Sequence, residues 1–196
     1  MEAWATLELG WVRAQQGEVE EGIAQMHQGL IGARSKGTEM NIPFYLYRLA
    51  EFYGAAGQAE RGIALAEEAL QLMEKTEERL YEADGHRVKG DLFALSGKSS
   101  EAEACFRQAI EIARRQQAKS WELRATLSLS RLLQKQGRSE EARKLLSEIY
   151  GWFTEGFDTP DLQEAKALRE ELGGKRSKGA RGQVKRKKKP KGVESS

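Results

Sequence analysis

Cysteine, proline, histidine and long apolar runs are all scarce in this sequence. Cys105 is the single cysteine among 196 residues, so the chain can build neither an internal disulfide nor a multi-cysteine zinc site. Three prolines exclude a proline-rich linker protein, and with 20 glycines they disfavour a β-protein of many turns. No stretch reaches the roughly 18 to 20 consecutive apolar residues of a spanning helix. Residues 1–16 carry Glu2, Glu8 and Arg13 and lack the apolar core of a secretory signal, so a cytoplasmic chain is expected. The histidines, His27 and His86, stand 59 positions apart and read as ordinary polar helix residues, not metal ligands or acid–base groups.

Catalytic signatures are missing too. There is no phosphate-binding GxxxxGKS/T; Gly173-Gly174-Lys175-Arg176 has neither its spacing nor a preceding strand. GxGxxG, HExxH, GxSxG and CxxC are also absent. Cys105 has no base in view and reads as an inert thiol. Pairs such as Glu20-Glu21 and Glu140-Glu141 read as solvated helix faces. The expectation is a protein without catalytic residues, cofactor or metal.

What is abundant is charge, 32% of residues, unevenly placed. Residues 175–196 hold ten Lys and Arg and one acid; the rest of the chain keeps 22 bases against 29 acids, a net of −7. The tail's clearly apolar residues are Ala180, Val184 and Val193. That is too little surface to offset the entropy of ordering, so residues 173–196 are expected to form a disordered basic tail. Its run Lys185, Arg186, Lys187, Lys188, Lys189 and Lys191 could neutralise phosphates of a nucleic acid, though no aromatic residue interleaves it as a stacking platform. A membrane role is not expected.

The body repeats every 40 residues. Gly17, Gly57, Gly97 and Gly137 mark the period, each followed five residues on by Gly22, Gly62, Ala102 or Ala142. Then come Met26, Ala66, Phe106 and Leu146, followed by Leu30, Leu70, Ile110 and Tyr150. Steps of four and three keep one helical face apolar. Each unit therefore reads as a helical hairpin: helix A ends near the glycine, whose freedom at positive φ stops it. Helix B follows at once, with Ser99 or Ser100, and Ser139, as candidate N-caps. A hairpin alone cannot bury its faces, so the units must stack into an all-α solenoid. The expected repeats are 1–37, 38–77, 78–117 and 118–156. Thr159-Pro160-Asp161 then opens a capping helix over 160–172, stopped by Gly173.

Leu49-Ala50-Glu51-Phe52-Tyr53 and Ala102-Glu103-Ala104-Cys105-Phe106 resemble the two halves of the tetratricopeptide repeat signature. The period is 40 instead of 34, and no proline follows helix B. The segment from Ala102 to Leu172, above all residues 151–162, is similar to the C-terminal region of large bacterial regulators with a nucleotide-cyclase or kinase domain, an NTPase module and a tetratricopeptide array. That resemblance implies a non-enzymatic interaction module from a signalling protein. Any cyclase or ATPase residues would lie upstream.

Tetratricopeptide arrays work through a concave face lined chiefly by the A helices, and the repeat register places candidate columns there. One holds Trp11, Glu51, Asp91 and Arg131; beside it are Leu7, Tyr47, Arg87 and Leu127, and then Glu8, Arg48, Val88 and Ser128, with Arg124 nearby. Tyr47, Arg48, Glu51, Arg87, Asp91, Arg124, Ser128 and Arg131 form a candidate groove for a peptide or helix. The competing reading is internal pairing, as between Arg87 and Asp91 at i,i+4. The start of the chain carries two apolar stripes, Trp4-Leu7-Trp11 and Ala5-Leu9-Val12, one more than a terminal hairpin can cover. A docking face centred on Trp4, Leu7 and Trp11 is therefore expected, for a preceding repeat, a second copy or a partner helix.

Overall fold

A computed structural model describes residues 2–37 and 41–183, with side chains as far as Gly174. Among the described residues there are helices and no strands. In chain order they are α1 (Glu2–Gln15), α2 (Val19–Arg34), α3 (Ile42–Ala55), α4 (Ala59–Thr76), α5 (Glu82–Leu95), α6 (Ser99–Arg115), α7 (Lys119–Lys135), α8 (Ser139–Tyr150) and α9 (Pro160–Gln183). No described helix is long and apolar enough to cross a membrane.

The period-40 glycines do what their position demands. Gly17, Gly57, Gly97 and Gly137 have φ of 98°, 74°, 75° and 80°. After each, the next amide reaches back to close the helix end: Glu18 N–H to Arg13 C=O, Gln58 to Tyr53, Lys98 to Phe93 and Arg138 to Leu133, at 2.8 to 3.1 Å. This six-residue closure satisfies a carbonyl that the helix end would otherwise leave open. The connections from B to the next A are different. There Asn41, Glu77 and Gln117 take positive φ without being glycine.

The hairpins α1/α2, α3/α4, α5/α6 and α7/α8 close over small residues. A Cβ on Gly90 would stand 2.5 Å from Phe106, and one on Gly22 would stand 2.7 Å from the Ala14 backbone. Larger residues fill the spaces between hairpins. One core runs from Leu7, Met26 and Leu30 through Leu46, Leu49 and Met73 to Val88 and Leu92. A second runs from Phe106 and Ile110 through Leu129 and Leu133 to Leu146, Leu162, Ala165 and Leu172. Phe93 packs against both, so stacking is continuous along the chain, as a solenoid requires.

Two local expectations need correction. Ser99 and Ser139 are the first residues of α6 and α8, and the capping positions belong to Lys98 and Arg138, which make no side-chain cap bond. The closure after each glycine puts Lys98 or Arg138 at the cap position, and these cationic side chains have no acceptor to offer the helix amides. The second correction is the end of α9, which continues through Gly173 and Gly174 to Gln183, into the stretch assigned to the tail. A glycine ends a helix by turning left-handed, and neither of these two does so; in a helix interior each costs only about 1 kcal/mol. Lys185, Arg186, Lys187, Lys188, Lys189 and Lys191 lie outside the described residues.

Candidate functional site

Helices α1, α3, α5 and α7, with α9 after them, place one face of the array in register. On α3 and α5 this face carries a five-membered ionic network. Asp84, only 2% exposed, accepts hydrogen bonds from Arg48 Nη2 at 3.1 Å and Arg87 Nε at 2.6 Å. Glu51 accepts from Arg48 Nη1 at 2.6 Å and Arg87 Nη2 at 2.8 Å, and Asp91 from Arg87 Nη1 at 2.7 Å. Each arginine thus uses its planar fork to join two helices. Burial disfavours the charge on Arg87, but Asp84, Glu51 and Asp91 outweigh it and raise its pKa. Burial also pushes Asp91 upward, partly countered by Arg87 and by a hydrogen bond with Ser128.

The ladder extends in both directions. Toward the beginning of the chain, Tyr45 on α3 donates to Glu8 on α1 at 2.5 Å. Toward the end, Arg124 and Arg131 on α7 pair with Asp161 and Glu164 on α9 at 2.7 and 2.5 Å. The arginines are not equivalent. Arg48 and Arg87 are 21% and 14% exposed, whereas Arg124 and Arg131 are 43% and 56% exposed. An open cleft of about 240 Å³ lies there, lined by Arg87, Arg124, Leu127, Ser128, Arg131, Asp161 and Glu164.

Aromatic rings follow the same face. Trp4 packs on Tyr45 with centroids 5.6 Å apart, and Trp11 on Phe44 at 6.4 Å. Phe44 continues to Tyr47 at 5.5 Å and Tyr81 at 5.0 Å, and Tyr81 to Trp121 at 6.0 Å. The Arg48 guanidinium lies 4.9 Å from the Tyr47 ring centroid and 5.3 Å from that of Phe44, cation–π contacts that tie the two systems together. Among the described residues, the Tyr47 hydroxyl and Arg48 Nε are buried without a hydrogen-bond partner. Burial pushes the Tyr47 hydroxyl pKa well up.

Seven of the eight groove residues named from the sequence lie on or beside one face, in two groups; Tyr47 is fully buried beneath it and is corrected from a groove residue to a core residue. Arg48, Glu51, Arg87, Asp91 and Ser128 are knit together, while Arg124 and Arg131 are held by α9. Sequence reasoning placed Glu8 in a candidate column without naming its partner, and missed Asp84, Asp161 and Glu164 as members of this face. A signal was available for Asp84: the 40-residue column through Arg124 reads Trp4, Phe44, Asp84, Arg124. The N-terminal face must be reassigned. Leu7 is fully buried, and Trp4 and Trp11 pack against the core, so this stripe faces inward. A helix beside its own hairpin and the next has to turn one stripe into their shared core, and the bulkier stripe takes that place. Elsewhere, Cys105 is half-buried and burial raises its pKa. His27 Nε2 is 2.8 Å from the Tyr53 hydroxyl.

Residues 43–115 match the tetratricopeptide repeat family model. An uncharacterized protein of Rhizobium meliloti (strain 1021) is 33% identical over 124 residues, which are 63% of this chain and 12% of that protein. The chain thus spans about one-eighth of the length of this relative. Among solved structures, a Rap protein complexed with Competence and Sporulation Factor superposes with a TM-score of 0.77 at 16% identity, over 92% of this chain and 50% of that one. The Rap conjugation gene regulator of plasmid pLS20, in complex with the Phr* peptide, gives 0.70 at 16% identity, over 92% and 54%. The nearly identical TPR-like repeats of a Podosopora anserina protein described as a kinesin light chain give 0.71 at 20% identity, over 92% and 90%. The fold is an α-solenoid of tetratricopeptide-like hairpins, with a tetratricopeptide repeat match over residues 43–115.

Proposed function

We propose that the chain is a non-enzymatic protein-interaction module that binds an extended peptide or a helix along the face of α3, α5 and α7. The observation that carries this reading is the coincidence, on one face, of half-buried aromatic rings with arginines held in place by carboxylates of the neighbouring helix. Rings offer contact area at small entropic cost, and fixed guanidinium groups recognise carboxylates. Arg48 and Arg87 act as a rigid floor. Arg124 and Arg131 are the exposed cations, and each exchanges one internal carboxylate for a carboxylate of the partner. Two of the similar structures are complexes, one with Competence and Sporulation Factor and one with the Phr* peptide, and they support a binding role for this fold.

The module belongs, in this reading, to a cytoplasmic signalling regulator of the cyclase or NTPase type, a reading supported by residues 151–162. The basic run 185–191 offers an alternative role as a nucleic-acid contact. The direct test is selection of displayed peptides on the intact chain, followed by binding to an Arg124→Glu, Arg131→Glu variant. Selected peptides should carry acidic residues and lose affinity for the variant. Peptides that bind both proteins equally would overturn the reading.

A further inference from the structure

Residues 151–159 leave the repeat pattern and build a cleft. Their register counterparts 31–34, 71–74 and 111–114 are all helical, whereas α8 ends at Tyr150. The connection that results is longer than those at 77–81 and 116–118, and it is braced. The Trp152 and Phe153 amides donate to the Ile149 and Tyr150 carbonyls at 3.2 and 3.3 Å. Gly156 turns at φ 75°, and its carbonyl accepts the Thr159 amide and hydroxyl at 2.9 and 2.7 Å.

Between this connection and the first turns of α7 and α9 lies an open cleft of about 770 Å³. Ligand pockets span about 300–1,000 Å³ and are mostly apolar, with a few placed polar groups. Here Leu123, Trp152, Phe153, Pro160 and Leu162 supply apolar wall, and Arg124 supplies a cation. Every wall comes from residues 120–162, so the cleft is complete within α7, α9 and their connection to α8.

Packing does not explain Trp152. Phe153 keeps the inward position of Ala33, Met73 and Ala113 and packs against the core, whereas Trp152 is 58% exposed. The indole is nonetheless held. Phe153 meets it edge-on with centroids 5.2 Å apart. Lys119 Nζ, bonded to Glu122 at 2.7 Å, lies 5.8 Å from its ring centroid. An exposed ring fixed at the wall of an apolar cleft offers contact area to a ligand at little entropic cost. Arg124 and Asp161 also line the smaller cleft beside Arg87 and Arg131. The two clefts therefore share the Arg124–Asp161 ion pair as a common wall.

We propose that this cleft is the anchor subsite of the partner-binding face. It takes one large apolar side chain, aromatic or Leu/Met-like, from a peptide whose neighbouring carboxylate replaces Asp161 at Arg124. The inference rests on the peptide-binding reading of α3, α5 and α7. Glu155 lines the same cleft and repels a carboxylate from the loop side, so the acidic flank of the peptide points toward Arg124.

Two probes test the proposal on the intact chain. N-acetyl-tryptophanamide carries no charge and reads the cleft apart from the arginine face. It should shift the backbone amide resonances of residues 120–124 and 152–157. Ser120→Trp, which fills the cleft from an exposed position, should abolish those shifts. Shifts absent at the solubility limit of the probe, or undiminished in Ser120→Trp, would overturn the proposal. The second probe is a set of peptides selected on the intact chain. They should pair an apolar residue with an acidic one and lose at least about tenfold in affinity for Trp152→Ala and for Ser120→Trp. Changing that apolar residue to Ala should cost less on Trp152→Ala than on the unaltered protein. Peptides weakened by Arg124→Glu, Arg131→Glu but by neither cleft substitution would overturn the anchor and leave the arginine face standing. Peptides weakened by the cleft substitutions alone would support the cleft and overturn the arginine face.

Discussion

Gly90 has no room for a methyl group. Its Cβ would fall 2.5 Å from the Phe106 ring, which is 1% exposed. Helix propensity alone favours Gly90→Ala by about 1 kcal/mol, but overpacking a filled crossing costs about 1–3 kcal/mol. The variant should therefore be destabilised in urea unfolding, and a more stable variant would contradict the packing. Phe106→Ala, which empties the same space, should cost about 3–5 kcal/mol. Asp84 stabilises for a different reason. Removing it leaves Arg48 and Arg87 short of a buried carboxylate, so Asp84→Ala should cost about 3 kcal/mol. His86 supplies a pH dependence. Burial, with Lys89 nearby, lowers its pKa from 6.5 to about 4. The neutral ring's contribution is therefore fully present above pH 6.5 and is lost as pH falls toward 4. His86→Gln should flatten the stability profile across that window. At this scale the sequence exposed the small and large residues of each crossing, because packing there repeats every 40 positions. It did not expose the buried charges, because Asp84 occurs in only one repeat and its partners come from two helices, Arg48 on α3 and Arg87 on α5.

The ends of the helices divide by the residue that makes them. Turns from A to B were legible because all four use glycine at positive φ. Turns from B to A were less so: Gly37 at φ 70° marks one of them, but Asn41, Glu77 and Gln117 take that conformation without being glycine. A side chain at positive φ costs about 1–2 kcal/mol, part of which glycine returns as unfolded-state entropy. Gln117→Gly, at φ 55°, should accordingly raise stability by about 0.5–1 kcal/mol in thermal or urea unfolding. Loss of stability would show that the Gln117 side chain matters more than its backbone. The misjudged length of α9 has a related cause: Gly173 is a possible stop, and only a left-handed turn makes a glycine an actual one. The two stripes of α1 were legible as a pair, but their assignment was not. Periodicity shows that two faces are apolar, and only packing against α2 and α3 shows that Trp4, Leu7 and Trp11 turn inward.

On the scale of the molecule, an acidic array carries a basic extension, and its A helices are joined side by side through ion pairs and rings. If the basic run contacts nucleic acid through about six phosphates, log affinity for duplex DNA should fall against log salt with a slope of about −5. Deleting residues 184–196 should remove that binding without altering the melt. The central claim is that the face of α3, α5 and α7 is the partner-binding surface. Hydrogen exchange of the full chain, with and without a peptide selected on it, tests that claim most directly. Protection should concentrate on α3, α5 and α7 and disappear in the Arg124→Glu, Arg131→Glu variant. Protection centred on the outer faces of α4, α6 and α8, or on α1, would contradict it.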